Sequence, residues 1–200
     1  MKYLLLLAFL FALPLSAETH VLLFSGSTRK DSNNKKLVLV AAKMVDSLNA
    51  KATVIDLNAY PMPLYDGDLE KNQGMPQKAK CLQKAMIDSQ VIVIASPEYN
   101  ASISAVLKNA LDWTSRAETG GSSRIAYKGK KFVLLSASPS SSGGKRGLVH
   151  LKAIIEAIGG TVVEPQFSLA KAHDAFDAEG NLVDAQVKAQ LQALLEQAIH

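Results

Sequence analysis

The chain has a single cysteine, Cys81, among its 200 residues, which excludes an internal disulfide and any cysteine-based zinc cluster. Cys81 stands between Lys80 and Leu82 in a helical pattern and reads as a packed or half-exposed thiol. The four histidines, His20, His150, His173 and His200, are scattered without an H-E-x-x-H or similar spacing, so the sequence offers no metal site. Aromatic residues make up only 6% of the chain and are not interleaved with basic ones, which argues against a nucleic-acid-binding face. There is no internal repeat, no low-complexity tract and no stretch that reads as a linker. The segment from Phe24 to Arg29 lacks G-x-G-x-x-G, and no G-K-[ST] occurs, which disfavours a dinucleotide-binding dehydrogenase and excludes a P-loop nucleotidase. No apolar run reaches the ~20 residues of a transmembrane helix.

What is present is an ordinary globular composition. With 48% apolar residues, a chain of this length supports one domain with a real core. The net charge of +4 comes from dispersed basic residues, with tight pairs only at Lys35-Lys36, Lys130-Lys131 and Lys145-Arg146. Such a surface is solvated and mildly favours an anionic ligand. Met1 to Ala17 is different: Lys2 precedes an apolar stretch from Tyr3 to Leu13, then Pro14 and the small pair Ser16-Ala17. This is the layout of a secretory signal peptide, so the expected division is a leader, residues 1–17, and one domain, residues 18–200. No cysteine follows for a lipid anchor and no Arg-Arg pair precedes the apolar stretch. A cleaved leader places the protein in the periplasm or outside the cell, with no membrane span remaining; otherwise it is cytoplasmic.

From His20 onward, strand and helix patterns alternate. His20 to Phe24, Ala52 to Leu57, Val91 to Ala95, Phe132 to Leu135 and Thr161 to Val163 read as strands, the third apolar throughout and therefore central. Asn34 to Leu48 carries Leu37, Val38, Ala41, Met44, Val45 and Leu48 at helical spacing. Further helices follow Pro76, include Ile103 to Leu111 and Leu148 to Ile158, and close the chain with Val187, Leu191, Leu194 and Ala198 facing inward. Tyr60 to Lys71, with two prolines and several acids, reads as an irregular excursion. Strands separated by helices predict an α/β fold, a five-stranded parallel sheet with helices on both faces. Ligands of such sheets sit at the carboxyl ends of the strands, where strand order reverses.

Three polar loops leave those ends. The first, Ser25 to Leu37, joins a strand to a helix N-terminus, where free N–H groups and the positive dipole end meet hydroxyls and the Arg29 guanidinium. An anion site and a capped turn that binds nothing are both compatible with it. The second, Ser96 to Ser102, offers Glu98, Tyr99 and Asn100 behind a rigid Pro97, a wall suited to a planar hydrogen-bonding ligand or simply a turn. The third, Ser136 to Arg146, holds the pair Gly143-Gly144, which allows close backbone approach to a ligand; a flexible Ser/Gly connection has the same composition.

Three motifs together make the chain resemble the NADPH-dependent FMN reductase family of flavodoxin-like proteins, which includes bacterial quinone, chromate and azo-dye reductases. The family's G-S-x-R-x-x-S-x-N-x-x-L appears from Gly26 to Leu37. S-P-E-Y-N-x-S-x-P-x-x-L-K-N-A-x-D-W is matched from Ser96 to Trp113, with Ser104 in place of the usual Pro. G-G-x-R and H-L-[RK] appear as Gly143 to Arg146 and His150 to Lys152, and Pro63 to Leu69 is also similar. Ser140 departs from a common Gly. The resemblance implies a flavodoxin-like three-layer sandwich with strand order 2-1-3-4-5.

It also implies bound FMN, with Ser27, Arg29, Ser32 and Asn34 at the phosphate, Pro97, Glu98, Tyr99 and Asn100 bordering the isoalloxazine, and Ser138, Gly143 and Gly144 at its other edge. NADPH or NADH would reduce the flavin, and a small-molecule acceptor would then take the same place: a quinone, nitro or azo compound, metal oxyanion or free flavin. The flavin would carry the hard chemistry, so no catalytic side chain is assigned. A homodimer or homotetramer is implied as well. The alternative is a flavin-binding electron carrier or redox-responsive binding protein without NAD(P)H turnover; small carriers of this fold tend to be acidic, whereas this chain is basic.

Overall fold

A computed structural model of the chain describes residues 18–200; the expected leader lies outside the described residues. In chain order the elements are β1 (His20–Ser25), α1 (Asn33–Ser47), β2 (Lys51–Asp56), α2 (Gly67–Gln73), α3 (Gln77–Ile87), β3 (Val91–Ala95), α4 (Ala105–Thr114), β4 (Lys131–Ala137), α5 (Lys145–Ala157), β5 (Thr161–Val162), β6 (Phe167–Leu169) and α6 (Ala185–Ile199).

All strand pairings are parallel, as the alternation of elements predicts, in the order β2-β1-β3-β4-β5 that the resemblance implies. The expected five strands become six, because β6 also pairs with β4, matching Leu135 to Phe167. The edge position beyond β4 is thus filled in two pieces. Pro165 lies between them and has no N–H to continue the ladder.

Each face of the sheet is sealed by helices. Val21, Leu23, Val93 and Val133 pack with Leu37, Ala41 and Val45 of α1 and Leu191 and Leu195 of α6. Leu22, Phe24, Ile92, Ile94 and Leu134 point the other way, toward Leu82, Leu107, Leu111, Leu151 and Ile155 of α3, α4 and α5. Every residue of β3 is buried, which accounts for its unbroken apolar sequence. The edge strand β2 has no buried residue, and its sequence is correspondingly mixed, with Lys51 and Asp56 at its ends.

The Tyr60 to Lys71 excursion is partly helical, a departure from expectation. α2 begins where the Asp66 carboxylate accepts from the N–H groups of Asp68 and Leu69, with Asp68 and Glu70 in the first turn. The excursion is pinned from inside. Trp113 Nε1 and Asn109 Nδ2 both donate to the Pro63 carbonyl, and Arg116 Nε donates to both oxygens of the buried Glu70 at 2.9 and 3.1 Å.

Candidate functional site

β1, β3 and β4 end side by side, and the three polar loops leave them together. After β1 the chain turns outward to β2, then returns across β1 to β3, so the first two loops diverge and open a crevice. A cleft of about 160 Å³ lies there, walled by Ser27, Arg29, Ser32 and Asn34 from the first loop, Pro97, Glu98 and Tyr99 from the second, and Ser138 from the third. Asp31 also lines it.

The first loop is built to leave donors free. Ser32 is the N-cap of α1, with extended φ −92° and ψ 126°, yet its hydroxyl makes no cap bond and the first turn holds no acid. Ser32 and Ser27 are nevertheless buried, at 5% and 2% exposure. The backbone is ordered locally: Ser27 N–H donates to Ser25 Oγ at 3.1 Å and Arg29 N–H to Ser27 Oγ at 3.3 Å. Asn58 Nδ2 donates to the Thr28 carbonyl at 2.8 Å, bracing the loop from beyond β2. Arg29 is exposed at the rim. A helix N-terminus with unused N–H groups, two buried hydroxyls and a guanidinium is suited to hold a small dianion.

Asn34 is placed differently from the other three. Its Nδ2 donates to the Ala137 carbonyl and its Oδ1 accepts from the Ala137 N–H, both at 2.9 Å. Its amide thus fastens the first loop to the third at the end of β4, and one N–H of Nδ2 is left over in a residue that lines the cleft.

Two further ties complete a triangle. Ser104, the N-cap of α4, accepts from Leu107 N–H and donates to the Gly26 carbonyl at 2.5 Å, joining the second loop to the first. Glu98 joins the second to the third. One of its oxygens accepts from Arg146 Nη2 at 2.6 Å and Nε at 2.9 Å, and the other from Gly147 N–H at 3.0 Å. Burial alone would raise the Glu98 pKa, but the Gly147 N–H and Arg146 together outweigh it and hold the carboxyl below its ordinary value.

The tip of the second loop is a two-residue hairpin in which Tyr99 and Ser102 exchange backbone hydrogen bonds at 2.9 and 3.0 Å. Asn100 and Ala101 at its turn have φ of 50° and 66°. Tyr99 is left 47% exposed beside the cleft, and Asn100 lies at the turn, outside the cleft lining. His150 Nδ1 lies 3.0 Å from Ser102 Oγ.

In the third loop Ser138, Ser140 and Ser142 form a hydroxyl chain with steps of 3.0 and 2.9 Å, so Ser140 lies against its own loop. Gly143 and Gly144 are buried with φ of 62° and 87°, and lie under the loop, outside the cleft lining. A Cβ on Gly144 would collide with Ser136 Oγ, a buried hydroxyl that has no hydrogen-bond partner. The ties through Ser104, Arg146 and Asn58 were not foreseen from sequence. Arg146 follows the Gly-Gly pair and was visible in the motif, but only the fold sets it against Glu98.

Residues 19–174 match the family described as NADPH-dependent FMN reductase. The chain belongs to that family. It is 33% identical over 174 residues to an NADPH:quinone oxidoreductase of Arabidopsis thaliana, covering 86% of this chain and 85% of that one. It is 30% identical over 185 residues to an NAD(P)H-dependent FMN reductase of Pseudomonas aeruginosa, covering 90% and 95%. Among solved structures it superposes on FerB, a flavoenzyme NAD(P)H:(acceptor) oxidoreductase from Paracoccus denitrificans, with TM-score 0.77, 26% identity and coverage of 90% and 95%.

NADPH-dependent FMN reductases are oxidoreductases, and this chain is one, with FMN as cofactor and NAD(P)H as reductant. The residues fit that cofactor. The uncapped N-terminus of α1 with Ser27, Ser32 and Arg29 suits the FMN phosphate, and Tyr99 stands half-exposed at the edge of the cleft. An electron carrier without NAD(P)H turnover is the weaker reading for a member of this family.

Proposed function

We propose that the chain passes electrons from NADPH or NADH, through FMN held among the three loops, to a quinone. The observation that carries this is the α1 N-terminus, whose N-cap hydroxyl makes no cap bond and whose first turn contains no acid, beside Ser27 and Arg29. Ser27, Arg29 and Ser32 hold the phosphate, and Asn34 sets the loop. Pro97 and Tyr99 border the ring on one side, with Asn100 at the hairpin turn beyond them. Ser138 borders the other edge, on a loop whose turn is made by the buried Gly143 and Gly144. Glu98 contributes its stem to the wall while its carboxylate faces α5.

Bound FMN supplies the hydride acceptor and donor. The chain's own residues bind and orient it and leave one face accessible. Quinone is the acceptor named for the Arabidopsis relative; nitro or azo compounds, metal oxyanions and free flavin are the other candidates. Reconstituted protein is expected to take up one FMN and to oxidise NADPH with a quinone. A protein that stays colourless after incubation with FMN overturns the proposal. Arg29→Ala is expected to weaken FMN affinity by about 1.5–3 kcal/mol through loss of charged hydrogen bonds to phosphate, with riboflavin affinity unchanged.

We also propose that residues 1–17 are a leader removed on export, leaving residues 18–200 as one flavodoxin-like domain. A homodimer or homotetramer is proposed from the resemblance to the family alone. Sedimentation equilibrium showing only monomer would sink that assembly. Among the described residues no helix is long and apolar enough to cross a membrane.

A further inference from the structure

α1 opens its N-terminus onto the cleft and α5 begins beneath the third loop, and the two N-termini are treated differently. α1 makes no side-chain cap bond and has no acid in its first turn. α5 likewise has no acid of its own in the first turn, and its N-cap, Gly144, has no side chain to offer. Yet α5 is capped from outside. Glu98, on the second loop, accepts the Gly147 N–H and grips Arg146, the second residue of the same helix. Its side chain is 7% exposed while that of Arg146 is 66% exposed, so the anion is the inner member of the pair and the cation the outer. The Glu98 stem also lies against Gly144, where an added Cβ would be 3.6 Å from Glu98 Cβ.

We propose that Glu98 is a positioning residue that places a fixed negative charge at the α5 N-terminus, directing the FMN phosphate to α1 and lowering the reduction potential of the ring beside the third loop. The inference rests on the reading above that the ring lies between the second and third loops. A helix N-terminus and a guanidinium both favour the negative charge that a flavin gains on reduction, and a buried carboxylate opposes it. With Glu98 in place, α5 brings little net positive charge to the ring, and α1 is the one of these two N-termini left for a dianion. A flavin held at lower potential keeps more driving force for delivery to its acceptor.

The test uses three variants of the FMN-loaded protein. Glu98→Gln keeps an oxygen for the Gly147 N–H but removes the charge. Arg146→Gln, at a largely exposed side chain, leaves the carboxylate uncompensated. Spectroelectrochemical titration at fixed pH and ionic strength is expected to show the midpoint potential of bound FMN moving upward in Glu98→Gln and downward in Arg146→Gln. A loosened loop would move both variants in one direction, so opposite signs are the signature. If Glu98→Gln fails to fold, a downward shift in Arg146→Gln still supports the inference and an upward or absent shift overturns it. Arg29→Ala separates the two levels. If it leaves the FMN-to-riboflavin affinity ratio as in the parent, the cradle reading has failed. If it collapses the ratio while both charge variants leave the potential unmoved or move it together, the Glu98 inference is overturned and the cradle stands.

Discussion

Gly144 and Asn34 show how differently single residues serve one cleft. Gly144 sits at φ 87° directly over Ser136, so a methyl group there meets both a left-handed backbone and a buried hydroxyl. Gly144→Ala is expected to cost about 2–4 kcal/mol, combining the left-handed penalty with overpacking, measured as a lowered urea midpoint. A midpoint within error of the parent would show that the third loop relaxes freely. The loop residues themselves were legible in the sequence, because hydroxyls, glycines and an arginine clustered after apolar runs. What each side chain does there was not. Asn34 looks like a phosphate donor in the motif, but its amide oxygen and one amide N–H are engaged by Ala137, 103 positions away. Glu98 looks like a ring contact, but its charge is spent on α5. Commitments of this kind depend on partners brought together only by the sheet.

At the scale of elements, two buried carboxylates act as fasteners, Glu98 between the second loop and α5, and Glu70 between α2 and the segment after α4. Glu70 is held below its ordinary value of 4.5, first by hydrogen bonds from Arg116, against the opposing effect of burial, and also by Tyr65. Glu98 is lowered as well. A carboxyl with a lower pKa folded than unfolded stabilises the fold fully above its unfolded value and loses that contribution as pH falls through the folded value. Stability is therefore expected to drop below about pH 4.5. In Glu70→Gln the acid slope should be shallower, read from urea midpoints across pH; an unchanged slope would place the acid sensitivity elsewhere. Which elements the sequence reveals follows the same physics. α1, α5 and β3 declare themselves through long apolar periods. α2 has seven residues, no apolar stripe and a start that depends on the Asp66 cap. β6 has three, and becomes a strand only because β4 offers an edge.

For the whole molecule, the basic surface and the three-loop crevice suit an anionic cofactor, and the proposed removal of residues 1–17 bears on where that cofactor is met. Sequencing of the protein purified from its native cell is expected to begin at Glu18; a chain beginning at Met1 would return it to the cytoplasm. The strand order carries one more consequence, in time. The cleft takes a wall from the end of β1, another from the end of β3 and a third from the end of β4, and β1 pairs directly with β3 across the intervening β2 excursion. Parallel pairings between segments so distant in sequence form slowly, since each must close a long loop before any contact rewards it. Until residues 131–137 have joined residues 91–95 there is no third wall. The cleft is therefore complete only when the β3–β4 pairing has joined the β1–β3 pairing.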